Sequence, residues 1–191
     1  MQATDIIDVL TRALAGDPVR FQAQETGDGM PTILVAPDAL VEACRVLRDD
    51  PALRFAFLAD IAPVDFYPRE PRFELTYLLV CLGVGGYGDK PGRLRLKVQV
   101  SGVDPHVPSV AGIWPAANWA EREVYDFFGV QVDDHPDLRR ILMPEDWEGF
   151  PMRKDYPVQI KEPVKTYLPL QVSEEEFVAN IEAARERARE D

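Results

Sequence analysis

Residues 93–100, RLRLKVQV, alternate without a break. Leu94, Leu96, Val98 and Val100 share one face, and Arg93, Arg95, Lys97 and Gln99 share the other. Successive side chains of a strand point to opposite faces, so this is a strand with one face buried and one in water. Sheets with a solvated face are commonly antiparallel. Working upstream, longer strands are expected at 53–61 and 72–82, and shorter ones at 19–23 and 31–36 around the turn signal Gly27-Asp28-Gly29. Ile6, Ile7, Leu10, Ala13 and Leu14 recur at helical spacing, with Gly16 where a C′ residue would end the helix. Pro37-Asp38 opens a second helix, with Asp38 as its expected N-cap and Leu40, Cys44 and Leu47 as its buried stripe. The expected class is α+β, a small mixed or antiparallel sheet with helices packed on one face.

Downstream of Pro108 the texture changes. A turn at 109–114 leads into a helix over 116–128, ended by Gly129. From Gln131 to Pro169 the chain is rich in proline and charge, with little periodicity. Ser173 and Glu176 then form a capping box before a charged helix carrying Phe177, Val178, Ile181 and Ala184 on one face. This divides the chain into a core domain over 1–145 and an extended arm over 146–191 that ends in the terminal helix.

Composition excludes several functions. The net charge of −12 repels phosphate backbones, so no nucleic-acid partner is expected. Cys44 and Cys81 stand far apart, and His106 and His135 are the only histidines. Clusters and structural zinc need several such ligands at close spacing, so no redox centre or zinc site is expected. No apolar run approaches the roughly 20 residues that span a bilayer, so no direct membrane insertion is expected.

Four motifs have the letters of a functional site. GVGGYG at 83–88 matches a dinucleotide loop, but Asp89-Lys90-Pro91-Gly92 and a strand follow where a helix is required; a hairpin connection fits better. Asp133, Asp134, His135 and Asp137 offer metal-binding atoms without the spacing of a calcium loop. In the 116–128 helix, at about 100° per residue, Trp119, Ala120, Val124, Phe127 and Phe128 define an apolar arc with Glu123 inside it. Arg122 and Asp126 fall on the opposite, polar side, with Glu121 and Tyr125 towards the rim. Glu123 is therefore expected to be buried and paired with Arg139 or Arg140. Finally, 139–157 alternates Arg139, Arg140, Arg153 and Lys154 with acids and with Trp147, Phe150 and Tyr156, and prolines 144, 151 and 157 stiffen it. Arginines and aromatics on a shaped segment are what interface cores favour, which makes the arm a docking element.

Glu121-Arg122-Glu123, Asp126-Phe127-Phe128-Gly129 and His135-Pro136-Asp137-Leu138-Arg139-Arg140-Ile141-Leu142 resemble the signature of the 30 kDa subunit family of respiratory complex I. Pro144-Glu145-Asp146-Trp147-Glu148-Gly149-Phe150-Pro151 and Arg153-Lys154-Asp155-Tyr156-Pro157 continue the likeness. Phe57-Leu58-Ala59-Asp60, with Asp65 and Tyr67, is similar more loosely.

The resemblance implies a non-catalytic subunit in the peripheral arm of a proton-translocating NADH:quinone oxidoreductase, bracing its quinone-reducing module. It implies no cofactor on this chain; FMN, iron–sulfur clusters and quinone would sit on partner subunits. The implied partners are the D subunit, which forms the quinone site, and the B and I subunits near the terminal cluster. The implied location is the cytoplasmic face of the bacterial inner membrane. Glu121, Arg122, Glu123, Asp126, His135, Arg139, Arg140, Trp147, Phe150, Arg153, Lys154, Asp155 and Tyr156 become structural and interface residues, none of them catalytic. One alternative is the equivalent subunit of a related membrane hydrogenase or F420-oxidising dehydrogenase. Another, of a different class, is a free-standing acid/base enzyme using Glu121, Glu123 and His135.

Overall fold

A computed structural model describes residues 2–14, 20–83, 92–158 and 173–190, with side chains described as far as Glu182. Gly16, most of the glycine-rich 83–88 stretch, and the part of the arm that includes Tyr167 and Pro169 lie outside the described residues.

Strand β5 (Gly92–Val100) is paired on both sides. It runs antiparallel to β4 (Phe73–Cys81) and parallel to β2 (Thr32–Val35). Strands β1 (Phe21–Gln24) and β3 (Phe57–Asp65) add antiparallel edges, giving a mixed sheet of order β1-β2-β5-β4-β3. The alternation read in β5 holds: Leu94, Leu96, Val98 and Val100 are buried, and Arg93 is exposed. On β4, Phe73, Leu75, Tyr77, Leu79 and Cys81 fill the same face.

Helices cover that face. α1 (Ala3–Leu14) buries Ile6 and Leu10, and α2 (Leu40–Asp49) buries Leu40, Ala43, Cys44 and Leu47. α3 (Ala117–Phe128) buries Ala117, Val124 and Phe128 in the same core and ends at Gly129, whose φ of 68° is the left-handed stop a glycine permits. Short strands β6 (His106–Pro108) and β7 (Gln131–Asp133) pair in parallel on either side of α3 in sequence. The terminal helix α4 (Glu174–Glu190) starts after Ser173, whose Oγ accepts the Glu176 amide at 3.2 Å. Among the described residues no helix is long and apolar enough to cross a membrane.

Three boundaries differ from expectation. β3 begins at Phe57 rather than at 53. Leu53 and Phe55 alternate like strand residues, but the Leu53 and Arg54 amides both donate to the Asp50 carbonyl and Arg54 has a φ of 46°, which is a turn. Asp38 does not cap α2: a 3₁₀ turn, Pro37–Ala39, precedes the helix, and the Asp38 carboxylate instead meets Arg20 at 2.6 Å. The chain divides into compact units Met1–Tyr156 and Pro157–Asp191, not after Glu145. Residues 146–156 belong with the first unit because side chains of α3, β4 and the segment itself tie them down.

Candidate functional site

α3 lies between two polar centres. On its core side Glu121, 2% exposed, accepts hydrogen bonds from Ser109 Oγ and from the Val110 amide, both at 2.6 Å. These bonds anchor the turn that follows β6. His135 Nε2 lies 3.8 Å from the carboxylate, and both side chains are sealed from solvent. The imidazole Nδ1 accepts from the Asp137 amide at 3.0 Å, which places the ring proton on Nε2, where the Asn118 carbonyl takes it at 3.1 Å. Burial pushes the Glu121 carboxyl up to about 7 against the pull of Ser109 and the Val110 amide.

On the opposite side Asp126, fully buried, is held quite differently. One carboxylate oxygen accepts from the consecutive amides of Ile141, Leu142 and Met143 at 3.1, 2.7 and 2.8 Å. The other meets Arg140 Nη1 at 2.8 Å. Burial works to raise this carboxyl, but the three amides and the guanidinium outweigh it and hold it below the usual carboxylate range. Arg140 spans further: it also donates to the carbonyls of Asp126, Trp147 and Gly149 at 3.1, 3.0 and 2.9 Å. One guanidinium thus ties the helix to both limbs of the following segment, as its fixed fork of donors allows.

Glu123 does not take the expected buried place. It is exposed, and Arg140 pairs with Asp126 instead of with it. The expected apolar arc includes Trp119, which is 64% exposed. Without Trp119 the buried face centres on Ala117, Glu121, Val124 and Phe128, a stripe at i, i+4, i+7 and i+11. That stripe carries Glu121 in and turns Glu123 out. Asp126 does lie on the far side, but residues 139–143 cover it.

A second clasp closes the segment. Asp65, 3% exposed, takes Arg72 in a two-point pair at 2.9 and 2.8 Å, the Lys154 amide at 2.8 Å and the Tyr67 amide at 2.9 Å. Burial opposes ionisation here too; Arg72 and the two amides win and lower the carboxyl to about 2. Arg72 also grips Asp155 at 3.0 and 2.6 Å, with its guanidinium over the rings of Tyr67 and Phe73. Arg153 donates to the Phe128 and Gly129 carbonyls at 2.5 and 3.3 Å, a cation at the negative end of α3. It stacks over Phe73 and Phe150, and Phe150 lies against Gly129 so closely that a Cβ there would collide with the ring.

Trp147, Phe150 and Tyr156 are therefore half-buried on the chain itself, and the Met152 amide finds the Phe127 carbonyl at 3.1 Å. Arg122 donates to the Arg139 and Arg140 carbonyls, while Arg139 pairs with Asp137 at the surface. Lys154 enters through its backbone and Tyr156 through a bond to the Glu148 carbonyl at 3.4 Å. Arg72, Ser109 and Phe73 belong to the site although the sequence does not single them out. Arg72 stands seven residues from one partner and 83 from the other, and nothing local marks it. Among the described residues no three His, Cys, Asp or Glu side chains converge as metal ligands.

Fold and site together define a small α+β domain whose charged centres hold a proline-rich segment against one helix and one sheet edge. The family described as "Respiratory-chain NADH dehydrogenase, 30 Kd subunit" matches residues 33–162, and the chain belongs to it. The C subunit of NADH-quinone oxidoreductase from Roseiflexus sp. (strain RS-1) is 44% identical over 165 residues, 86% of this chain and 91% of that protein. The C/D subunit from Methylococcus capsulatus (strain ATCC 33009 / NCIMB 11132 / Bath) is 37% identical over 181 residues, 91% of this chain and 30% of that one. Among solved structures, a trypsin-resistant fragment of Nqo5 superposes with a TM-score of 0.58 at 32% identity, covering 72% of this chain and all of the fragment.

Proposed function

We propose that this chain is a structural, non-catalytic subunit of the peripheral part of a proton-translocating NADH:quinone oxidoreductase, bracing the module that reduces quinone. The observation that carries the reading is where the signature residues spend their chemistry. Asp126, Arg140, Arg153 and Asp155 are engaged with one another, with Arg72 and with backbone, which shapes a surface rather than opening a pocket. No flavin, cluster or nucleotide is assigned to this chain; the redox groups belong to its neighbours. The D subunit, which forms the quinone site, is the first expected partner, consistent with a relative that bears the double name C/D, and the B and I subunits follow. The stretch beyond Tyr156, with α4 and its exposed Phe177, Val178 and Ile181, serves as a docking arm. The complex holds the subunit at the cytoplasmic face of the inner membrane.

The acid/base alternative is disfavoured by geometry. Glu121 and His135 are shut away from any substrate, and Glu123 is not beside them. The test is purification of the tagged chain from its native membranes. Recovery of a complete NADH:quinone oxidoreductase is expected, with loss of the chain abolishing quinone reduction while NADH oxidation by a soluble acceptor persists. Stoichiometric iron or flavin on the purified chain, or turnover by it alone, would overturn the reading.

A further inference from the structure

β3 is an edge strand nine residues long, and such an edge normally invites another strand. This one is built to refuse it. Pro63 faces Leu75 of β4 and has no N–H to give the ladder; the bonded Phe66–Arg72 pair three residues on puts it at a position whose backbone groups point to the open side. Backbone groups alternate along an antiparallel strand, so Ile61 points the same way. Its amide is already taken by the Asp60 carboxylate at 2.8 Å. From Asp60 to Val64 the open side therefore presents the carbonyls of Ile61 and Pro63 and no free amide. Such an edge can accept hydrogen bonds but cannot exchange them with a strand.

The helix beside it repeats the pattern. Ala117, Glu121, Val124 and Phe128 turn one face of α3 into the core. The flank of α3 away from the core carries Trp119 and Glu123 one turn apart, and α3 packs more closely on β3 than on any other strand. Trp114, just before α3, donates its indole N–H to the Phe55 carbonyl at 3.1 Å, which brings the start of β3 to the start of the helix. Phe57 and Trp119 are 52% and 64% exposed at this end. Asp60 and Glu123 are exposed as well. Asp60 is engaged by the neighbouring Ile61 amide, and among the described residues Glu123 enters no ion pair.

We infer that the β3 edge and the outer flank of α3 form one docking face for a cationic partner surface, whose arginine and lysine side chains donate to the Ile61 and Pro63 carbonyls, to Asp60 and to Glu123 while Phe57 and Trp119 supply apolar contact. The donor-free edge and the exposed carboxylates select the same partner chemistry, and a chain of net charge −12 favours it at long range. The inference rests on the subunit reading above and names the face on which one neighbour sits.

The test is competitive assembly. Wild-type chain and the double variant Asp60→Asn, Glu123→Lys are expressed together under different tags, and their ratio in the purified complex is measured by mass spectrometry. The asparagine retains an oxygen for the Ile61 amide, and both sites are exposed, so thermal unfolding of the variant should match wild type. About tenfold under-representation of the variant is expected, because a like charge then faces the partner's cations. Hydroxyl-radical footprinting of the wild-type complex supplies the second readout: Phe57 and Trp119 should be several-fold less oxidised than in the free chain. Equal incorporation, or equal labelling of both rings, overturns the docking face and leaves the subunit reading intact. Protection without charge dependence assigns the face to a neutral partner or a second copy, and also overturns it. Failure of the wild-type chain to enter any complex sinks the subunit reading itself.

Discussion

Glu121 and Asp126 sit on opposite sides of one helix, both sealed from water, and their environments push them in opposite directions. Glu121 has two donors and an imidazole at a distance; Asp126 has three consecutive amides and a guanidinium. Burial alone does not decide the charge of a carboxylate. The number of donors that point at it does. A site that must hold a long segment in place uses the fully compensated arrangement, and a site that anchors one turn manages with less.

The largest expected effect is on the compensated side. Arg140→Ala strands Asp126 and frees three carbonyls, and losing one partner of a buried pair typically costs about 3–5 kcal/mol. Denaturant unfolding of the chain should show that loss; a change under about 1 kcal/mol would mean that the amides alone suffice. Arg72→Lys comes next. A lysine keeps the charge but cannot make both two-point pairs, and a loss of about 2 kcal/mol is expected, with faster amide exchange at Lys154.

The two carboxylates should also separate with pH. For Glu121 the folded value of about 7 stands above the unfolded one, so the folded state binds the extra proton between them. Stability should therefore rise as pH falls from about 7 towards about 4.5, by at most about 1.4 kcal/mol per unit. Asp65 has the opposite sign. Its folded value of about 2 is below the unfolded one, so its contribution is present above about pH 4 and is lost as pH falls through 2. Glu121→Gln should remove the rise and leave the acid loss; a variant whose pH profile overlays wild type would refute the assignment. The smallest effect is reserved for Glu123→Gln, an exposed change worth about 0.5 kcal/mol or less in thermal unfolding.

That last residue shows where the letters stop being enough. β5 was legible because its partners lie on both sides and only one face is covered, so alternation survives in the sequence. The end of α3 was legible because Gly129 is the residue the left-handed turn requires. α3 itself was harder. A helix with a single buried face shows one apolar stripe, but this one is covered on two sides, and its second covering is polar. Trp119, large and aromatic, stood out as core and is exposed, while Asp126 read as solvated and is enclosed by residues 139–143. The signature letters located the site. Which acid met which arginine depended on chain distant in sequence, as did the whole role of Arg72.

The clasp at Asp65 has a consequence for the order in which the chain becomes complete. Its acceptor is made 89 residues before the Lys154 amide that fills it. Contacts so far apart carry the loop-closure entropy of everything between them, and they gain only after that interval has condensed. During synthesis the sheet and α3 can pack while Asp65 and Arg72 hold only each other, and the outgoing segment is fastened once Lys154 and Asp155 emerge. A newborn chain thus fastens this segment only after the sheet and the helix it rests on have set.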